Sequence, residues 1–240
     1  KYDWVKQIDD PGVNLIFDQN NNPVIVNTYQ YLFSFENDSF QNDYPINHYY
    51  FSLYLHFDKK GNYTNYYYLP IYSNGFGFDS ENNHYYTASF IDSLILGSDT
   101  IYSEAVHNGY VLKRDSLQNN LWLKTIKTNN YSYGYCTHIL NGLVDNQDHF
   151  IVFGEGTDIE FQDTVLYYSF PDNNFIAKYD SYGEFQWAIR CPIAIKHPAV
   201  DMNDNIYVNG GFPSWPQSDT VFFNTDTIAQ SNGNYLTAKY

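Results

Sequence analysis

Two hairpin phrases constrain this chain more than anything else in it, because each is written more than once. "NGYVLKRDSLQNNLWLKTI" (108–126) and "NNFIAKYDSYGEFQWAI" (173–189) share one grammar: an apolar run, a basic residue, Asp, a short turn, a second apolar stretch and Trp. Asp115 stands seven residues before Trp122, and Asp180 seven before Trp187. The hairpin Asp also occurs at Asp58 in "LHFDKKGNYTN". A second phrase, Asp followed by a polar turn and a strand, recurs from Asp18, Asp79, Asp145 and Asp201. Its spacings are 61, 66 and 56 residues, against 57 and 65 for the hairpin Asp. Two phrases in constant order with one shared period, about sixty residues, are the signature of a repeat architecture.

A third phrase precedes the hairpin. "DSLILGSDTI" (92–101) matches "DTVFFNTDTI" (219–228), and "QDTVLYYS" (162–169) is a shortened copy. In the first repeat the corresponding stretch, "SFENDSFQNDYPINHYY", has drifted. Each unit therefore contains four strand-like pieces. One ends near the phrase Asp, one follows it, one carries the basic-Asp run and one carries Trp. Tyr 26 and Phe 18 among 240 residues, with abundant Asn and Asp, suit pleated half-buried strands joined by turns. No stretch carries a 3.6-residue apolar period. The expected class is all-β, and four short antiparallel strands per repeat predict β-propeller blades. The surplus length, in the "DTV…DTI" region, predicts extended outer hairpins.

The units run roughly 5–65, 66–122, 123–187 and 188–240 plus 1–4, in one propeller domain over 1–240. The C-terminal "YLTAKY" matches the third strand of a unit, and the N-terminal "KYDWVKQI" matches a fourth, with Trp4 in the place of Trp187. The expectation is a four-bladed ring closed by these two strands; the alternative is a segment of a larger propeller.

The repeat "FIAKYDSYGEFQWAI", followed by "VDMNDNIYVNGGF", resembles propeller-type repeats of secreted and surface proteins of Bacteroidetes. The likeness is good over 145–240, moderate over 72–126 and poor over 1–71, where Asn65 stands near the Trp position. It implies a β-propeller outside the cytoplasm, at the cell surface or associated with the outer membrane, and often exported by the type IX route. It implies no reaction. The chain opens at Lys1 without a charged-then-apolar leader, so it reads as a mature or excised segment.

Charge and motifs narrow the function classes. A net charge of −15 opposes binding to nucleic-acid phosphates. No apolar run reaches membrane-spanning length, so no direct insertion is expected. The seven histidines show no HxH or HExxH spacing, and no GxSxG elbow or phosphate-cradling loop occurs. "FGEGTDIE" offers Glu155, Asp158 and Glu160 for acid–base work on a glycan, a thin basis in so acidic a chain. The expected protein is not an enzyme and has no resident cofactor. "DMNDN" and "DNQDH" space oxygens as a calcium loop would, but without the glycine and the bidentate Glu. A hairpin turn with Asp accepting backbone N–H groups is the reading preferred.

Trp4, Trp122 and Trp187 form a column expected to pack between blades, each indole needing a local acceptor. Lys178 and Lys239, with Arg114 within one residue of the same place, are expected to pair with blade carboxylates. The candidate binding residues lie outside these columns. Trp215, between Pro213 and Pro216, offers a stiff aromatic for a sugar ring or a protein hot spot. Tyr131, Tyr133 and Tyr135 alternate in an insertion on one unit, 23 residues separating Trp122 from Asp145 where other units have 14. Asp-Ser/Thr-aliphatic occurs six times, placing Ser93, Thr100, Ser116, Thr164, Thr220 and Thr227 in a pattern similar to the O-glycosylation acceptor of exported Bacteroidetes proteins. The same phrase is also how this repeat enters a strand. Cys136 and Cys191 are the only cysteines, and spacing alone leaves their pairing open. The leading function is a non-enzymatic protein-interaction module, an accessory of a surface or secretion assembly with a protein partner. The alternatives are a lectin-like carbohydrate-binding propeller and, behind it, a glycan-active enzyme.

Overall fold

The computed structural model describes residues 14–29, 32–35, 38–41, 51–69, 73–96, 99–103, 107–128, 137–167, 173–211, 220–223, 226–229 and 235–240. Every helix-or-strand element among them is a β-strand, and all pairing is antiparallel. The chain divides into two compact units, Lys1–Ser73 and Asn74–Tyr240.

The first unit holds one four-stranded sheet. β1 (Asn14–Phe17) pairs with β2 (Pro23–Tyr29); a two-stranded hairpin, β3 (Leu32–Phe35) with β4 (Asp38–Gln41), follows. β5 (Phe51–Phe57) and β6 (Tyr63–Leu69) complete the order β1-β2-β5-β6. Val24, Val26, Leu53, Leu55 and Phe57 are buried on it.

The second unit repeats this plan. β7 (Gly75–Phe78) and β8 (His84–Phe90) are followed by the hairpin β9 (Ser93–Leu96) and β10 (Asp99–Tyr102), then by β11 (Asn108–Arg114) and β12 (Asn120–Thr128). The third sheet is β13 (His138–Val144), β14 (Phe150–Glu155), β17 (Asn174–Tyr179) and β18 (Phe185–Cys191), with the hairpin β15 (Ile159–Phe161) and β16 (Thr164–Leu166) between β14 and β17 in the chain but outside this sheet. In the last sheet the first strand is broken into β19 (Ala194–Ile195) and β20 (Ala199–Val200), both against β21 (Ile206–Gly211). Pro198, which has no N–H to donate, sits in the break. The hairpin β22 (Thr220–Phe223) and β23 (Asp226–Ala229) follows, and β24 (Tyr235–Lys239) pairs with β21.

In the first three repeats the four strand-like pieces are thus real strands, in the last the described ones are too, and the "DTV…DTI" phrases are hairpins. The drifted first repeat has one as well, in β3–β4. The sheet edges fall later than the sequence units: Trp122 and Trp187 lie inside the fourth strands of their sheets, which run on to Thr128 and Cys191 rather than stopping at 122 and 187. No sheet closes into a barrel among the described residues.

The sheets of the second unit stack face to face, which explains why their inner strands read as continuous apolar runs. β14 sends Phe150 and Val152 into a core with Tyr85, Val111 and Ile126 of the preceding sheet. Its alternate residues Ile151 and Phe153 enter a core with Ile206 and Val208 of the following one. Each such strand is buried on both sides. β15 also pairs with β12, Ile126 opposite Phe161 and Thr128 opposite Ile159, so this hairpin extends the preceding sheet.

Candidate functional site

Antiparallel order places the first-to-second and third-to-fourth turns of a sheet at one end and its hairpin insertion at the other. The second unit therefore has a turn pole and a hairpin pole. The first unit's sheet has the same two ends.

Asp18, Asp58, Asp79, Asp115, Asp145, Asp180 and Asp201 open seven turns of one design. In each, one carboxylate oxygen accepts the N–H groups two and four residues on, as in Asn20 and Asn22 for Asp18 or Glu81 and Asn83 for Asp79. The other Asp58, Asp115, Asp145, Asp180 and Asp201 turns repeat it. The second oxygen accepts a side-chain donor, usually the Asn four residues on. The third residue after each Asp is left-handed: Asn21, Gly61, Asn82, Gln118, Asp148, Gly183 and Asp204. A type I turn closed by one left-handed residue is a three-residue hairpin loop, which accounts for Asn, Asp or Gly at this place. Gln118 is the exception to that composition. Its amide is held by Tyr86 Oη and His84 Nδ1, contacts that offset backbone strain of about 1 kcal/mol. The carboxylate oxygens face donors of their own loop, and no three His, Cys, Asp or Glu side chains converge as a metal cage among the described residues.

These bonds favour the ionised acid. The Asn62 and Asn119 side chains hold the carboxyls of Asp58 and Asp115 below the ordinary range. Asn205 does the same for Asp201, which is lowered to about 2. Asp204 is lowered by Gln147 and Asn146 of the preceding sheet.

Two lysines complete the turns. Lys113 Nζ lies 2.8 Å from Asp79 Oδ2, with side-chain exposures of 7% and 2%. Lys178 Nζ lies 2.7 Å from Asp145 Oδ2, with exposures of 15% and 0%. The pairing expected for Lys178 is thus present, but the second sheet uses Lys113, not Arg114, because a bulge follows Lys113 and sets it opposite Trp122, as Lys178 is opposite Trp187. Arg114 instead bonds Asn120. Lys239 lies over the ring of Tyr207, 5.7 Å from its centre.

The same groups join successive sheets. Trp122 Nε1 donates to the Ser181 carbonyl at 3.1 Å, and its ring lies edge-on to Tyr85. Lys113 Nζ also donates to Ser181 O. Asp148 accepts from Ser80 N at 2.7 Å, and Asp204 from Asn146 N at 2.9 Å. In both cases the left-handed Asp of one sheet caps the first turn residue of the sheet before it. Trp187 packs with the core of the third and fourth sheets. Trp4 lies outside the described residues.

The hairpin pole is less uniform. Leu94 and Leu96 of β9 are buried, while Ile95 and, on β10, Tyr102 are exposed, the latter by 72%. After β16, Tyr167 is 69% exposed. Arg190 on β18 holds that hairpin by donating to the carbonyls of Gly156, Leu166 and Tyr167. No motif marked Arg190, because its partners are backbone oxygens brought up by the fold.

Trp215, Tyr131, Tyr133 and Tyr135 lie outside the described residues. Trp215 belongs to the connection between β21 and β22, and the three tyrosines to that between β12 and β13. The flanking ends of all four strands are at the hairpin pole. Ser93 and Thr164 begin β9 and β16, Thr100 lies in β10, Thr220 begins β22 and Thr227 lies in β23. Ser116 lies in the Asp115 turn. Thr100, Ser116 and Thr164 are exposed. Five of the six therefore mark strand entries in the hairpins, the structural use the phrase allows. Glu155 ends β14, Asp158 bends the chain at φ 42° and Glu160 lies in β15. Cys191 is buried and its sulfur accepts from Tyr240 Oη; Cys136 is outside the described residues. No protein-family model matches the chain, and no curated protein matches it.

Proposed function

We propose that the chain is a propeller-type scaffold that works as a non-enzymatic protein-interaction module outside the cytoplasm, at a bacterial surface or secretion assembly. The carrying observation is a division of labour within the second unit. The repeated Asp, Lys and Trp residues are engaged in turns and sheet-to-sheet contacts, whereas the hairpin pole differs between sheets and exposes Ile95, Tyr102 and Tyr167. Loops on a rigid scaffold are where recognition concentrates, and a stiff scaffold loses little entropy on docking.

The propeller reading rests on the repeated relation between neighbours. Three successive sheets meet through the same Asp-to-turn bond, and each new sheet continues the stack. In a four-bladed ring the partner of β24 is the N-terminal "KYDWVKQI", with Trp4 opposite Lys239. Cysteines placed at 6 and 237, which that register sets opposite each other, test this: oxidation must cross-link them within one chain, and failure under mild oxidant rejects that closure.

Exposed Tyr102 and Tyr167 favour a second reading, carbohydrate binding by ring stacking. A gentle pull-down of the tagged protein from its own cells, with mass spectrometry, separates the two. A stoichiometric surface protein, lost with Tyr102→Ser plus Tyr167→Ser, supports the module. Recovery of the chain alone, with glycan-array binding abolished by those changes or by Trp215→Ala, supports the lectin.

A further inference from the structure

At the hairpin pole of the second unit two histidines from different sheets meet. His107 leads into β11, and His138 opens β13. Their ring centres are 4.7 Å apart, with the planes tilted at 46°. We propose that His107 and His138 bind one transition-metal cation of the zinc, nickel or copper(II) class.

Geometry carries the argument. With metal–nitrogen bonds of about 2.0–2.1 Å, two imidazoles on one ion have ring centres roughly 4.5 Å apart at a right angle and roughly 5.2 Å apart at a tetrahedral angle. The observed separation falls between these values. The backbone around both rings is pinned. Thr137 N donates to the His107 carbonyl, Thr137 and Thr128 join through their hydroxyls, and Asn108 Oδ1 accepts from Thr128 N. Ile139 N donates to Ser89 Oγ. Neither ring has to be brought from a distance.

Electrostatics act in the same direction. Burial, with the neighbouring His138, lowers the His107 pKa, and the neutral imidazole is the form that binds metal. The chain carries a net charge of −15, which attracts a cation. Glu155 stands directly opposite His138 in the β13–β14 ladder, where facing side chains lie close enough to interact. Its carboxylate does not converge with the two rings in the structure, so a turn of this side chain or water completes the coordination. Imidazole with a carboxylate is a ligand set that suits zinc and copper better than calcium or magnesium.

The test is titration of the chelator-stripped chain with zinc chloride by calorimetry in a non-coordinating buffer. The expected result is one equivalent bound, weakened roughly tenfold or more by His107→Gln and by His138→Gln. Glu155→Gln is expected to weaken it less, and His197→Gln not at all. A second measurement needs no variant. In the wild-type nitrogen spectrum of the imidazoles, zinc must shift the His107 and His138 signals together and leave the other five of the 7 histidines in place. The site is overturned if no binding saturates by millimolar zinc. It is equally overturned if affinity survives both histidine changes or if other imidazoles shift instead.

Discussion

Replacing Asp79 by Asn separates the two roles of the repeated aspartate. Asp79 accepts from Glu81 N, Asn83 N and Asn83 Nδ2 and is paired with Lys113 in a site almost closed to water. Asp115 makes the same three turn bonds but is only half-buried and has no lysine. Asn keeps one acceptor oxygen for the two backbone donors in either turn. At Asp115 the loss is only the charge of an acceptor that water still reaches. At Asp79 it strands the ammonium of Lys113, which retains only Ser181 O and the face of Tyr85 at 4.8 Å. Breaking a buried pair on one side costs about 3–5 kcal/mol. Asp79→Asn should therefore cost clearly more than Asp115→Asn. Adding Lys113→Met removes the stranded charge and should recover part of that difference, giving a favourable coupling energy in the double-mutant cycle. The assay is urea unfolding followed by circular dichroism, with slopes compared before midpoints are read as stability. Equal losses at 79 and 115, or a double variant no better than Asp79→Asn, would refute the reasoning.

Three further outcomes follow from the geometry. Burial lowers the His56 pKa from the ordinary 6.5 to about 4, with Asp18 opposing the shift. The unfolded chain then binds the proton more readily, so the first unit should lose up to about 3 kcal/mol as the pH falls from 6.5 to 4; His56→Gln should flatten a melting-temperature profile over that window. Gly183 has φ +82°, and a Cβ there would stand 2.8 Å from Trp122 Cδ2, so Gly183→Ala should cost roughly 1–3 kcal/mol and shift Trp122 fluorescence. If the six Asp-Ser/Thr phrases are glycosylated, intact mass of the protein from its own cells must exceed that of the bare chain by whole sugar units; the bare mass removes the idea.

Much of the local structure was legible because it is local. The three-residue turn needs Asp first and a left-handed residue fourth, so "DQNN", "DKKG", "DSEN" and "DSYG" announce it without reference to anything distant. Repetition then multiplied each signal, and strand order within a sheet followed from short turns. The hairpins were legible in the same way from "DTV…DTI". Register was harder. The residue two before the hairpin Asp, Lys113 as Lys178, is the one that reaches the carboxylate, and what no phrase marks is the bulge that follows it in both sheets.

What the sequence alone determined is the class, the repeat, the turns and the chemical role of Asp within them, since these depend on neighbours a few residues away. Tertiary structure decided which sheet faces which, that Asp148 and Asp204 cap the turns of other sheets, and that Arg190 holds a hairpin by carbonyls. It also decided that His107 meets His138. Contacts between residues 17 to 68 positions apart are set by packing two buried faces against each other, and no spacing along the chain encodes that approach.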